Sequence, residues 1–578
     1  MASIFGLSWF DYVIFGISLA VSLLIGLYYA IKSRNTTKEF LLGNREMPVI
    51  PTALSLLVSY LSGILILGFS SEMYMKGTHM FWHCGAVFFA LPLAAILFQP
   101  VFYKLQLTSA YEYLELRFRS RAIRLMASLF YITSTTIYIS IVLYAPAIAL
   151  SGVSGVRLEV LILVSGMVCT VYTSLGGLKA VVWTDAVQAV IMYAGLIAII
   201  IQGTIKVGGF SKVWRIAYQG GRIITDFSAD PFTYMNFWSV MIGTICGWTI
   251  IYGTNQTSVQ RYTSLSSLRK AQWSLFLTLP GTWTLFPLVI FCGLVMYSFY
   301  AHCDPLTLGL VKSRDQLLPY FTVEVLGNIY GLPGLFMACL YAGTLSTVSS
   351  GLNSLAAVTW EDFLKPQLGT KISEKSATYL NKVLAASYGI LAFCLAILAQ
   401  HLGGVLQASL TVLNVFTGPV GGLFLMGVAI PWVNKKGAFV GALTSFAIMT
   451  WICIGAQTIK PYRTSLPRSI TGCSNETLET APHYANITTT IAPEDLDLTG
   501  IKYIYKLSYL LYGVCGLIIV IFVAVPVSLF TGGLKIEERD LDYVLPIFKK
   551  FLSKTNRTQK NSENNDDDKL RSIQLEKF

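Results

Sequence analysis

The densest run of groups able to do chemistry is Gly343-Thr-Leu-Ser-Thr-Val-Ser-Ser-Gly-Leu-Asn353. Gly343, Ser346, Thr347 and Ser350 fall at i, i+3, i+4 and i+7, so a helix presents them on one face. Uncharged hydroxyls, joined by carbonyls freed from a helix, suit a hard cation such as sodium, by the logic that gives calcium oxygen ligands. Ser and Thr in apolar helices also bond back to the i−4 carbonyl, and the run alone leaves both uses open. Asp185, closing Gly176-Gly-Leu-Lys-Ala-Val-Val-Trp-Thr-Asp185, is the second candidate. An ionisable group where an apolar span begins is a functional candidate; a structural ion pair with Lys179 is the other reading. Two glycine-interrupted stretches follow, Val58-Ser-Tyr-Leu-Ser-Gly-Ile-Leu-Ile-Leu-Gly68 and Gly243-Thr-Ile-Cys-Gly-Trp-Thr-Ile-Ile-Tyr-Gly253 with Asn255 and Gln256 after it. Broken helices at corresponding places expose carbonyls and helix ends at mid-membrane. Glycines equally serve close helix packing.

Enzyme chemistry is not written here. The chain has no HExxH, no GxSxG and no GxxxxGK[ST], and its five histidines are dispersed near the ends of apolar blocks. The ten cysteines form no CxxC pair and no metal-ligand spacing. Most lie inside apolar blocks as small core residues; only Cys303 and Cys473 fall in loops. Uphill transport, if that is the task, must draw on a gradient.

The elements that position these groups follow from composition. Of 578 residues, 54% are hydrophobic and 12% charged, against about 25% charged in soluble domains. Several globular surfaces cannot be covered with so few charges. The apolar residues come in blocks near the ~20 residues that cross ~30 Å of hydrocarbon. The reading is an all-α polytopic membrane protein of about thirteen helices. The formal charge of +12 is no nucleic-acid footprint, because basic residues do not interleave with aromatics on one face. It reads as loop bias. Lys32, Arg34, Lys38 and Arg45, then Lys104, Arg117, Arg119, Arg121 and Arg124, then Arg261, Arg269 and Lys270, then Lys435 and Lys436 fall on one side if the N-terminus is outside. The C-terminus is then inside.

Residues 1–31 hold a first helix with no cleavable signal pattern ahead of it. If that helix is an addition, 48–205 and 236–430 are two groups of five helices each. Two more spans occupy 437–531, separated by the loop 457–504, and 532–578 is a mixed-charge cytoplasmic tail that reads as disordered. The loop carries the sequons Asn475-Glu-Thr477 and Asn486-Ile-Thr488, which support its outside placement. Asn35, Asn255 and Asn556 also open sequons, on the inside. Cys303 and Cys473 both fall outside, where disulfides persist; they could bridge, though the sequence gives no distance.

Taken together, these residues resemble the sodium/solute symporter family. Ser165 to Ala180 fits the family signature around Gly176-Gly177, and Thr184-Asp185, Asn255-Gln256, Val259-Gln260-Arg261, Ser346-Thr347 and Asn353 match further positions. Leu107-Thr-Ser-Ala-Tyr-Glu-Tyr-Leu-Glu-Leu-Arg-Phe118, Tyr144-Ala-Pro146 and Gly177 to Asp185 are similar to the animal branch holding multivitamin, monocarboxylate and iodide transporters. The resemblance spans about Phe40 to Ile430. It implies a LeuT-like 5+5 inverted repeat and a multi-pass symporter in the plasma membrane. Sodium, the co-transported ion, would meet the carbonyls of Val58, Leu61 and Gly343 and the hydroxyls of Ser346 and Thr347. Asp185 would line its exit. Substrate would lie near Leu65, Tyr144 and Tyr252. The family's sugar and iodide transporters carry a polar side chain at the position of Leu65, and its sugar transporters an aromatic gate at Ile251. The expected cargo is therefore a small organic anion, a monocarboxylate or a vitamin carboxylate such as biotin or pantothenate. A neutral solute, or a sodium-dependent sensor or channel, is the alternative.

Overall fold

The computed structural model describes residues 7–34, 36–369, 371–399, 405–462, 464–474, 477–478, 496–532 and 542–545. Asn475, Asn486, Asn35 and Asn556 and most of the tail lie outside the described residues. All the regular structure described is helical. The long elements are α1 (Trp9–Lys32), α2 (Val49–Tyr60), α3 (Gly63–Lys76), α4 (Trp82–Leu97), α5 (Arg121–Ser154), α6 (Leu158–Val207), α7 (Phe237–Thr254), α8 (Gln256–Thr263), α9 (Leu268–Phe299), α10 (Leu317–Leu326), α11 (Leu332–Val358), α12 (Glu374–Leu398), α13 (Val405–Ala429), α14 (Lys435–Ile459) and α15 (Tyr512–Phe530).

Among the described residues, 11 helices are long and apolar enough to cross a membrane, and 12 if the bent pair α2–α3 counts as one span. Helix α6 runs for 50 residues, about 75 Å at 1.5 Å per residue, more than twice the hydrocarbon core. It contains its own division. Gly177 has φ 60° and ψ −158°, and a Cβ there would stand 2.7 Å from the Phe40 carbonyl oxygen and ring. Only glycine fits that backbone and that contact. The helix is thus divided at Gly177 with no loop between its two parts.

Helix α11 is the axle of the bundle. Every residue from Phe336 to Val358 is buried, because α1, α5, α6 and α12 surround it. A helix apolar or hydroxyl-bearing on all sides has no other stable place. By contrast α1 shows Ile17, Leu24, Tyr28 and Ile31 outward, as a lipid-facing helix does. The helix continues beyond the hydroxyl run: Asn353 to Val358 remain buried helix, followed by a π-helical turn over Thr359–Leu364. A separate short helix, α10, precedes α11 in the chain.

Glycine has different uses in the two interrupted stretches. The first is broken: Leu61 and Ser62 leave helical geometry and α3 sets off at 54° to α2. The second is unbroken through Gly243, Gly247 and Gly253, correcting the expectation of a break among them. Gly243 instead packs against the Leu510 carbonyl, 2.4 Å from where its Cβ would be. The interruption comes later, at Asn255, with ψ 136°, whose side-chain oxygen accepts from the Thr257 N–H at 3.0 Å and caps α8.

Candidate functional site

The last four carbonyls of a helix have no partner within it, and the end of α2 falls in the middle of the protein. Val58 and Leu61 are fully buried there. The Ser346 hydroxyl of α11 donates to the Val58 carbonyl at 2.9 Å and lies 3.0 Å from the Gly343 carbonyl. Thr347 donates to the Gly343 carbonyl at 3.0 Å. Two glycines let the helices meet. A Cβ on Gly343 would lie 2.9 Å from the Gly63 nitrogen and 3.0 Å from the Leu61 oxygen, and one on Gly63 would lie 2.8 Å from the Leu340 oxygen. The structure therefore brings Val58, Leu61, Gly343, Ser346 and Thr347 into one cluster. The hydroxyls do bond to carbonyls of their own helix, Ser350 to Ser346 at 2.6 Å included. That use does not exclude the other, since a hydroxyl donating its proton keeps lone pairs for a cation.

Asp185 stands close by and is not paired with Lys179. Lys179 holds Glu39 at 2.7 Å. Asp185, 0% exposed at its side chain, pairs instead with Arg261 at 3.1 Å, itself 1% exposed. Ser55 donates to the same carboxylate oxygen at 2.5 Å and accepts from Arg261 Nε at 2.7 Å. Arg261 also donates to the Thr257 carbonyl at 3.0 Å and to the Ser350 hydroxyl. Ser350 in turn meets Ser59 of α2 at 3.0 Å. A charged network thus runs from α6 and α8 to the two helices carrying the oxygen cluster. Counting Arg261 as a loop charge is corrected: α8 folds back under α2 and buries it. Arg117 and Arg124 are corrected likewise. Arg117 donates to the carbonyls of Gly427, Ile430 and Pro431, and Arg124 pairs with Asp362 at 2.6 Å.

The three substrate candidates separate. Tyr252 is fully buried in α7; its ring stacks on Trp248 at 5.4 Å and meets Tyr60, the last residue of α2, at 5.2 Å. Leu65 lies in the first turn of α3, on the far side of the break. Tyr144 is buried on α5 and makes no hydrogen bond or ring contact to either among the described residues; Asp315, just before α10, is its charged neighbour. None of the three lines the nearby cavity of about 40 Å³, which is walled by Tyr131 and Thr135 of α5, Ile251 of α7, Asn255, and Phe416 and Thr417 of α13. A cavity of about 500 Å³ opens farther along the same α5–α13 seam, at Ile137, Ile141, Gln407 and Thr411.

Farther out, Cys303 and Cys473 are joined in a disulfide across a separation of 170 residues. Asp304 beside them receives Tyr74 of α3 and pairs with Arg468 at 3.2 Å. Sequence reading missed Trp248 and the inward pairing of Arg261. Trp248 and Tyr252 at i and i+4 were a usable aromatic signal. For Arg261 the only signal was its match to the family position.

With that geometry in place, comparison with known proteins is informative. The sodium:solute symporter family matches residues 40–445. The chain is 42% identical over 550 residues to sodium-coupled monocarboxylate transporter 1 of Homo sapiens, covering 93% of this chain and 89% of that protein. It is 39% identical over 548 residues to the sodium-dependent multivitamin transporter of Oryctolagus cuniculus, covering 94% and 86%. Among solved structures, a sodium-coupled sialic acid symporter in its substrate-bound outward-open state superposes with a TM-score of 0.74 at 23% identity, over 90% of this chain and 98% of that one. At that identity the likeness is one of fold.

Proposed function

The chain belongs to the sodium:solute symporter family, and from that premise we propose that it imports a small monocarboxylate or vitamin carboxylate with sodium across the plasma membrane. The observation that carries the reading is the meeting of the Val58, Leu61 and Gly343 carbonyls with the Ser346 and Thr347 hydroxyls at the break between α2 and α3. These five are the sodium ligands in this reading, and Asp185 lines the ion's exit. The residues 48–205 and 236–430 act as two five-helix units that rock about the broken helix. The N-terminus and the loop after α14 face outside, where a Cys303–Cys473 bridge persists. Glycans are then expected on Asn475, Asn486 or both. The double variant Asn475→Gln/Asn486→Gln should show no gel shift on deglycosylation, and a residual shift would reverse the orientation.

Leu65 gives the substrate an apolar wall that suits an alkyl or aryl chain better than sugar hydroxyls, which lose hydrogen bonds against it. Leu65→Gln is expected to weaken uptake. Energetics constrain coupling. One sodium carried with a monoanion moves no net charge, so it draws only on the chemical gradient, roughly 1.4 kcal/mol per tenfold ratio. Each further sodium adds that amount and about 2.3 kcal/mol per 100 mV. Strong accumulation of an anion thus calls for two or more sodium ions and an inward current. The test is uptake and current in cells expressing the protein, with a panel of lactate, nicotinate, biotin, pantothenate, glucose and myo-inositol. Sodium-dependent, inwardly electrogenic uptake of an acid supports the reading. Robust glucose or myo-inositol uptake without response to the acids overturns it in favour of a neutral solute, and binding without concentrative uptake in favour of a sensor.

A further inference from the structure

The carboxylate of such a cargo needs a partner; Arg261 of α8 is already held by Asp185, and the helices on the Tyr252 side of the break offer few others. In α2, α3, α4 and α7 the only basic side chains are Lys76, at the far end of α3, and His83, in the first turn of α4. His83 lies within the bundle, 6% exposed, not at a wetted span end. Its Nδ1 is 3.1 Å from the Thr244 hydroxyl of α7. Its Nε2 is buried and has no hydrogen-bond partner among the described residues, a standing cost for a polar group away from water. Around the ring stand Phe69 of α3 at 5.3 Å, Trp248 of α7 at 5.5 Å and Phe286 of α9 at 4.5 Å between centroids.

We propose that His83 is the hydrogen-bond donor for the transported carboxylate, in a box walled by Phe69, Trp248 and Phe286. The inference rests on the anion reading above and adds a specificity-determining residue to it. With the Thr244 proton directed at Nδ1, the neutral ring carries its own proton on Nε2, where a carboxylate oxygen can accept it. The box adjoins the break. Phe69 is one turn beyond Leu65 on the same face of α3, and its ring meets His83 of α4 at 5.3 Å, so one aromatic side chain connects the apolar wall to the donor. Trp248 touches His83 on one side and Tyr60 and Tyr252 on the other. That half-buried indole is the partition between the imidazole and the end of α2. An uncharged donor held among aromatic rings accepts a carboxylate on a flat or alkyl body. It gives sugars, which need many polar partners, little to bind.

The experiment uses the full-length protein in cells, the best-transported acid of the panel, and its uncharged carboxamide as competitor. His83→Met is expected to raise the half-saturating concentration of the acid by about ten- to hundredfold, the range for losing a buried hydrogen bond to a charged group. Surface amount, maximal rate and the sodium concentration for half-maximal uptake stay near wild type. His83→Gln, which restores an N–H donor, recovers most of the affinity. The amide, a poor competitor in wild type, competes in His83→Met as well as the acid does. A half-saturation within about twofold of wild type in His83→Met, or no recovery in His83→Gln, overturns the inference. If His83→Met does not reach the surface, Thr244→Val decides. It removes the hydroxyl that fixes the tautomer and should raise half-saturation about three- to tenfold; no change overturns the proposal. Wild type without sodium-dependent acid uptake removes the transport reading itself, a failure visible before any variant is made.

Discussion

Arg261→Leu is expected to be the most destructive single substitution in the protein. Asp185 and Arg261 are both buried, and the arginine also holds Ser55, Thr257 and Ser350. Removing one partner of such a pair leaves an uncompensated charge away from water and costs about 3–5 kcal/mol. Most of the variant should fail to reach the surface, and the detergent-solubilised remainder should melt well below wild type. Adding Asp185→Asn removes the stranded charge, so the double variant should recover more than half of the lost stability. If the two losses simply add, the residues are not coupled, because independent sites are additive. Transport separates a second function. Asp185→Asn alone strands Arg261 and should also lower the surface amount; per transporter at the surface it is expected to slow turnover more than it weakens substrate binding, since the charge that offsets Arg261 is gone. A wild-type rate in that variant would leave Asp185 as a purely structural partner.

Ser346→Ala and Thr347→Ala should each raise the sodium concentration for half-maximal uptake, with surface expression preserved. Losing an oxygen that water cannot replace costs roughly 1–3 kcal/mol, about five- to more than a hundredfold in affinity. Ser346 is expected to have the larger effect. Its hydroxyl spans two helices, reaching the Val58 carbonyl of α2 as well as the Gly343 carbonyl of its own, so its loss also loosens the joint. Among the described residues the Thr347 hydroxyl bonds only within α11, and Thr347→Ser should restore it. Sodium titrations of uptake check both. Unchanged sodium dependence in the two alanine variants would sink the ligand assignment, whatever happens to the carboxylate affinity read through His83.

Much of this architecture could be read along the chain because it is local. Burial in lipid demands continuous apolar runs, so hydropathy alone finds most of the long apolar helices and excludes a soluble reading. The hydroxyl face of α11 follows from spacing, and the break before Gly63 from a Ser-Gly pair inside an apolar run. The limits of the reading were local too. Periodicity could not tell that Gly243, Gly247 and Gly253 sit in an unbroken helix, because whether a glycine bends a helix or admits a neighbour depends on what packs against it. Here the Leu510 carbonyl does. Nor could it see Gly177 dividing a 50-residue helix without a loop.

By itself the sequence determined the membrane class, the helices and the residue types at the break, since each depends on a window of some twenty residues. Tertiary structure alone decided which charges are surface charges. Arg117, Arg124 and Arg261 look like ordinary loop cations along the chain. Folding turns them inward, onto helix-end carbonyls, onto Asp362 and onto Asp185. Asp185 has Lys179 six residues away on its own helix yet pairs with Arg261, 76 residues distant, while Lys179 is taken by Glu39. The physical reason is that a buried charge must find its counter-charge on whatever helix face packs against it. That choice is made by the packing of α2, α6, α8 and α11 together, and no stretch of the chain contains it.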